Sequence, residues 1–151
     1  MSEVVATMSP MPNNSFTSLT KFFKTPKGML VIALAVLIPL AGMHSGFAVV
    51  APGVAAAAIA AMLVDAPILR YRDKEWSFPS GALLTGLLVA MVLSPFGSWK
   101  VAAMTAVIGV LSKYVARGRS ANVFNPAALA LVVSYFAFDT GHSWWGALPE
   151  L

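Results

Sequence analysis

Between Lys27 and Asp65 the chain carries no Asp, Glu, Lys or Arg. That uncharged run constrains the fold more than any other feature. It is too long for one strand or one core helix, and long enough for two membrane passes at ~20 residues each. The same character continues downstream. Hydrophobic residues make up 58% of the 151 and charged residues 11%, with a mean hydropathy of +0.78, against a charged share of roughly one quarter in soluble domains. The sequence therefore reads as an all-α, polytopic membrane helical bundle of about five transmembrane helices. The net charge of +4 raises nucleic acid as a partner. The cations, however, flank apolar spans, as topology requires, and nucleic acid is set aside. With no cysteine, the chain forms no disulfide, Cys-ligated iron–sulfur cluster or thiolate metal site, so redox chemistry needs an organic cofactor or another subunit.

Residues 1–26 read as a polar cytoplasmic tail, with Lys21, Lys24 and Lys27 at its end and Phe22 and Phe23 at the headgroups; residues 27–151 form the membrane domain. A signal peptide is the rival reading, but the apolar run after Lys27 is longer than a typical h-region and continues into a second span. The first span is expected over about 29–47. It contains Pro39 and a Gly42-x-x-x-Gly46 pattern suited to close helix approach. His44, near its outer end, reads as an interfacial polar residue or kink partner rather than a proton relay. Pro52-Gly53 is expected to make a tight turn into an Ala-rich second span ending near 66. Asp65 at that boundary is expected to pair with Arg70 or Arg72. After a mixed-charge loop, Phe78-Pro79-Ser80-Gly81 opens a third span of about fifteen residues that ends before Pro95. A fourth runs over 99–116.

The chain is organised around the stretch from Arg117 through Gly118, Arg119, Ser120, Asn122 and Asn125 to Pro126. Pro126 lacks an N–H and suits the first helical position, and Asn125 before it is a good N-cap. The fifth span that follows, 127–138, covers roughly 18 Å at ~1.5 Å per residue, short of the ~30 Å hydrocarbon core. One reading is a helix that starts below the interface after a loop packed against other spans. The other is a broken helix whose N-terminal end and asparagines face a ligand near mid-membrane. The Phe-Pro-Ser-Gly-Ala before the third span and the Phe-Asn-Pro-Ala-Ala before the fifth echo each other, and two short, proline-started spans point to a site between them. Nine of the ten cations fall on one side and only Lys100 on the other, which predicts N-terminus in and C-terminus out. Trp144 and Trp145 then read as belt residues at the outer face. Asp139 and His142 are two isolated ligand types, more simply solvated than metal-bound. No general base, nucleophile or metal cluster is visible, so no catalytic residue and no metal are assigned.

Ser80-Gly81-Ala82-Leu83-Leu84-Thr85-Gly86, the Ser94-Pro95 and Trp99 that follow, Lys113, and Asn122-Val123-Phe124-Asn125-Pro126-Ala127 resemble the N-terminal half of the RnfD/NqrB family, membrane subunits of ion-pumping electron-transfer complexes. The resemblance covers about 27–151. Family members are about twice this length and carry two inverted five-span repeats, so the likeness is to the first repeat. It implies that Asn122, Asn125 and Pro126 lie near bound flavin and that Thr85 and Gly86 belong to a shared third-span motif. In the family a flavin is joined to a threonine of a Ser-Gly-Ala-Thr-type motif in the second half. Here Leu83 stands at the corresponding place of a look-alike motif and has no hydroxyl, so covalent FMN is not expected, while noncovalent riboflavin or FMN is. Arg117-Gly118-Arg119-Ser120 replaces a Gly-rich loop, and Arg119 suits a phosphate, an anionic lipid at the cytoplasmic face or a topology anchor. The resemblance thus implies a multi-pass subunit of the cytoplasmic (inner) membrane that helps hold a flavin among other membrane subunits, itself at most non-catalytic. A cofactor-free accessory subunit of a respiratory or photosynthetic complex and a small oligomeric transporter or channel are the alternatives.

Overall fold

The structure is a computed structural model and describes residues 23–74, 77–115 and 124–147. It is all-helical: α1 (Pro26–Ser45), α2 (Phe47–Asp73), α3 (Ser80–Val92), α4 (Trp99–Val115) and α5 (Pro126–Phe138), closed by a 3-10 turn at Trp145–Ala147. The first two are long and apolar enough to cross a membrane. By contrast α3 and α5 have 13 residues each, roughly 20 Å at ~1.5 Å per residue. Both are apolar on every side, the pattern of a helix surrounded by protein or lipid.

α3 lies at the centre. Eight of its residues are buried, and it packs against α1, α2, α4 and α5. Small side chains make this possible: Ala57 and Ala61 of α2, Ala82 and Ala90 of α3, Ala106 of α4 and Ala130 of α5 meet in one core. Small residues let helix backbones approach closely where lipid offers no hydrophobic driving force between helices. Gly86 is the extreme case. A Cβ there would lie 2.7 Å from the carbonyl oxygen of Ala57 and 2.9 Å from the Cα of Ala58, so α2 and α3 touch backbone to backbone. α1 is peripheral. Leu34 and Ala41 reach a second cluster with Met91 and Trp145, while Met29, Ile32, Val36, Leu40 and Met43 face outward.

The sequence expectation is corrected at three junctions. The turn between the first two helices is at Gly46, not Pro52-Gly53: Gly46 adopts φ 89°, a region that glycine alone enters freely. Pro52 and Gly53 lie inside α2, where the proline removes one backbone hydrogen bond and crowds the preceding turn, a cost the packing of the long apolar helix outweighs. Gly42 is used locally, since a side chain there would meet the Phe47 ring just past the turn. At its other end α2 continues through Pro67 to Asp73, beyond the expected stop at 66, and places Arg70 and Arg72 in its last turn, where cations complement the negative helix end.

The third correction concerns Trp145. Trp144 is exposed, but Trp145 is buried, and its indole Nε1 donates to the carbonyl of Ala90 at 2.8 Å. Beyond α5 the chain folds back over the end of α3. Ser143 and Trp144 donate backbone N–H groups to Val92, and Ser94 donates to Gly141. A helix end leaves its last carbonyls unpaired, and away from water these need partners. The returning strap supplies them. Asp139 starts it in the left-handed region at φ 50°, and His142 forms an isolated bridge with Leu93.

Candidate functional site: a charged cleft at one end of the bundle

Because the helices alternate in direction, the starts of α1, α3 and α5 and the ends of α2 and α4 meet at one end. A cleft of about 560 Å³ opens there, and its walls include Lys27, Asp65, Gly81, Thr85, Lys113 and Pro126. Lys100, at the start of α4, lies at the opposite end, so the segregation of cations expected from the sequence is present in the fold for the described residues.

The most unusual group in the cleft wall is Asp65. It is 1% exposed, although it sits in α2 among apolar neighbours. Lys113 of α4 donates to its Oδ1 at 2.7 Å, and the Tyr114 hydroxyl donates to the same oxygen. This corrects the expected pairing with Arg70 or Arg72. Those two lie further along α2, at its exposed end, where Arg72 pairs with Asp73 at 2.8 Å and Arg70 donates to the Lys74 carbonyl. A buried carboxylate needs donors that arrive inside the bundle, and the packing of α2 along α4 brings Lys113 and Tyr114 to it. The other carboxylate oxygen, Oδ2, is buried and has no partner among the described residues.

Thr85 and Pro126 come together at the crossing of three helices. A Cβ at Gly109 of α4 would lie 2.8 Å from the Thr85 methyl and 3.2 Å from the Pro126 carbonyl oxygen, so the missing side chain lets α3 and α5 close on α4. The Thr85 hydroxyl donates back to Gly81 at 2.9 Å. Gly86 lies one residue on, turned to the α2 backbone rather than among the cleft-lining residues. Asn125 caps α5, its Oδ1 accepting from the N–H groups of Ala127 at 3.0 Å and Ala128 at 3.5 Å. Those amides, expected under one reading to face a ligand, are thus taken by the helix's own cap. The start of α3 differs, because Pro79 offers no side-chain cap. Asn122 and Arg119 lie outside the described residues, as does most of the loop that joins α4 to α5.

Sequence reasoning singled out Asp65 and, separately, Lys113, but not their union with Tyr114. An acid alone in a long apolar run was the available signal. Its partner lies 48 residues away, a separation that carries no local pattern.

An apolar helical bundle with two helices long and apolar enough to cross a membrane, a charged cleft at one end and a buried ion pair in its wall has the character of a membrane-embedded protein. The chain belongs to the NQR2, RnfD, RnfE family, whose profile matches residues 13–149. It is 34% identical over 103 residues to the RnfD subunit of the ion-translocating oxidoreductase complex of Aliivibrio salmonicida (strain LFI1238), covering 63% of this chain and 28% of that protein. The same-named protein of Escherichia coli O1:K1 / APEC is 31% identical over 93 residues, 59% of this chain and 26% of the relative. The matched segment therefore spans little more than a quarter of these curated relatives. No solved structure matches the chain significantly.

Proposed function

We propose that this protein is a multi-pass subunit of an inner-membrane, ion-translocating oxidoreductase complex, with its charged cleft toward the cytoplasm, where it helps hold a noncovalent flavin among other membrane subunits. The observation that carries this reading is the convergence of Thr85 and Pro126 with Lys113 and Asp65 in one cleft, in a chain of this family. The orientation is supported by the cations at the cleft end, which the cytoplasmic side of a membrane favours. Anionic lipid headgroups suit the same face.

A flavin suits the cleft in size, since small-molecule sites run ~300–1,000 Å³. It suits it in charge as well: Lys27, Arg72 and Lys113 outnumber Asp65 along the walls, which favours a ring system or phosphate bearing negative charge. Covalent attachment at the Ser80-Gly81-Ala82-Leu83 look-alike does not suit it, since Leu83 offers no oxygen for an ester. When bound, the flavin supplies electron transfer between donors and acceptors held by other subunits. The chain's own part is positional. Lys113 presents its ammonium in the wall, Gly109 lets the three helices close behind Thr85, Gly86 sets the depth of α3 against α2, and Asn125 with Pro126 fixes where α5 begins. Asn122 and Arg119, in the preceding loop, are proposed to complete the ligand's surroundings.

The test is the absorption spectrum of the chain purified in mild detergent with its native complex partners and then alone. Flavin bands that persist through gel filtration and are released by denaturation support the reading. A colourless protein that still co-purifies with large membrane partners favours a cofactor-free accessory subunit, a role to which the self-capped start of α5 lends weight. Ion flux through liposomes holding this chain alone would favour a transporter instead.

A further inference from the structure

Positive charge gathers at the cleft without a matching anion among the described residues. The Asp65 carboxylate and the Lys113 ammonium offset each other as a pair, and Arg72 is paired with Asp73. Lys27 is different. Its side chain is exposed, lines the cleft and has no ion pair among the described residues. It also sits in the first turn of α1, the positive end of a helix, where a cation is disfavoured. None of the helices that begin here, α1, α3 and α5, carries an acidic residue in its first turn.

Two further donors stand near this ammonium. Leu34 and Ala41 of α1 share a cluster with Leu84 and Met91 of α3, and the two helices run the same way. Matching levels therefore carry Lys27 to just outside the first turn of α3. No side chain caps that turn; its neighbouring amides bond back to Phe78 and Pro79, while the Gly81 N–H meets no backbone acceptor among the described residues. A Cβ on Gly81 would lie 4.0 Å from Lys113 Nζ. That ammonium gives one proton to Asp65 Oδ1 and has others to give.

We propose that this part of the cleft is a phosphate subsite, where one phosphate group accepts from Lys27, Lys113 and the Gly81 amide, and that the cleft therefore takes FMN rather than riboflavin. A phosphate monoester carries up to about two negative charges and three strong acceptor oxygens on one small centre, so it offers an oxygen to each donor. The unpaired ammonium in a cavity defines the site, and the start of α3 adds a donor to it. A metal cation is repelled by Lys27 and Lys113. The apolar lining, Leu69, Phe78 and Leu84, is left for the ring. This inference rests on the flavin reading and deepens it by naming the charged group that the cleft selects. A lipid such as phosphatidic acid presents the same phosphate monoester, and the test separates the two sources.

The full chain in mild detergent is titrated with riboflavin and with FMN, binding being read by quenching of flavin fluorescence, and with short-chain phosphatidic acid, read by its retention through gel filtration. The expected result is that FMN binds roughly ten- to a hundredfold tighter than riboflavin, the worth of hydrogen bonds to a charged acceptor. Lys27→Gln, a change at an exposed side chain that leaves the packed bundle alone, should narrow that ratio about two- to fivefold by weakening FMN, the worth of an exposed charge pair. FMN binding no tighter than riboflavin would overturn the phosphate subsite yet leave the flavin reading standing. A ratio that Lys27→Gln leaves unchanged would overturn the part given to Lys27 and make it a topology anchor alone. Retention of phosphatidic acid, lowered by Lys27→Gln, with binding of neither flavin would keep the phosphate subsite, assign it to lipid and overturn the flavin reading. Absence of binding by all three would overturn the flavin reading and this inference with it.

Discussion

Replacing Gly86 by alanine tests whether α2 and α3 meet at their backbones. The added methyl would lie 2.7 Å from the Ala57 carbonyl oxygen, 2.9 Å from its carbon and 2.9 Å from the Ala58 Cα, whereas ordinary contact begins at 3.4 Å. None of these atoms belongs to a rotatable side chain, so the helices must separate by about 0.7 Å at this level. Overpacking of this kind costs ~1–3 kcal/mol, with the upper end expected where backbone is the obstacle. Against that stands a gain of up to ~1 kcal/mol from replacing glycine in a helix interior. The net expectation is a loss of about 1–2 kcal/mol, or roughly 2–8 °C in Tm for a chain of this size. Gly53→Ala is the internal control. It lies inside α2, and nothing comes within 4 Å of its Cβ position, so only the propensity gain remains, worth up to roughly 4 °C. Circular dichroism melts in one detergent at fixed protein concentration compare the two. If Gly86→Ala melts at or above the parent, or if Gly53→Ala falls as far, the close α2–α3 crossing is wrong.

Other consequences follow from particular contacts. Lys113→Met leaves Asp65 buried without its ammonium and should destabilise by about 3–5 kcal/mol, whereas the double change with Asp65→Leu should restore much of that loss; a denaturation cycle over the four proteins measures it. Trp145→Phe keeps an aromatic side chain but loses the indole N–H and leaves the Ala90 carbonyl unpaired, an expected cost of about 1–3 kcal/mol, seen as faster proteolysis of the strap before the bundle melts. Asn125→Ala exposes the two amides it caps and should cost about 1 kcal/mol; a serine at the same position should recover most of the lost Tm, and an unchanged Tm with alanine would mean the cap contributes nothing.

Much of the architecture is legible in the order of the residues. The start of α5 at Pro126 under an Asn125 cap follows from two residue types whose local chemistry admits few alternatives. The lengths of α3 and α5 follow from where charge and proline interrupt the apolar runs. The misplaced turn at Pro52-Gly53 shows the limit of such reading. Proline and glycine mark turns on average, but a glycine at position 46 with a freely adopted positive φ competes with them, and packing of Phe47 and Val50 against Gly42 decides between the two. Trp145 fails for a similar reason. An aromatic near a membrane-span end usually sits in the interface, unless a short neighbouring helix leaves carbonyls for it to satisfy.

Residue chemistry, taken one position at a time, makes this polypeptide helical and apolar and sets at which helix ends the described cations lie. Hydropathy, propensity and capping act locally, so no knowledge of the packed bundle is needed to see their result. The meeting of Asp65 with Lys113 and Tyr114, the sharing of one cleft by Thr85 and Pro126, and the closure of Trp145 over α3 are of another kind. Each joins residues far apart in the chain, and only the approach of small-residue helix faces brings them within bonding distance.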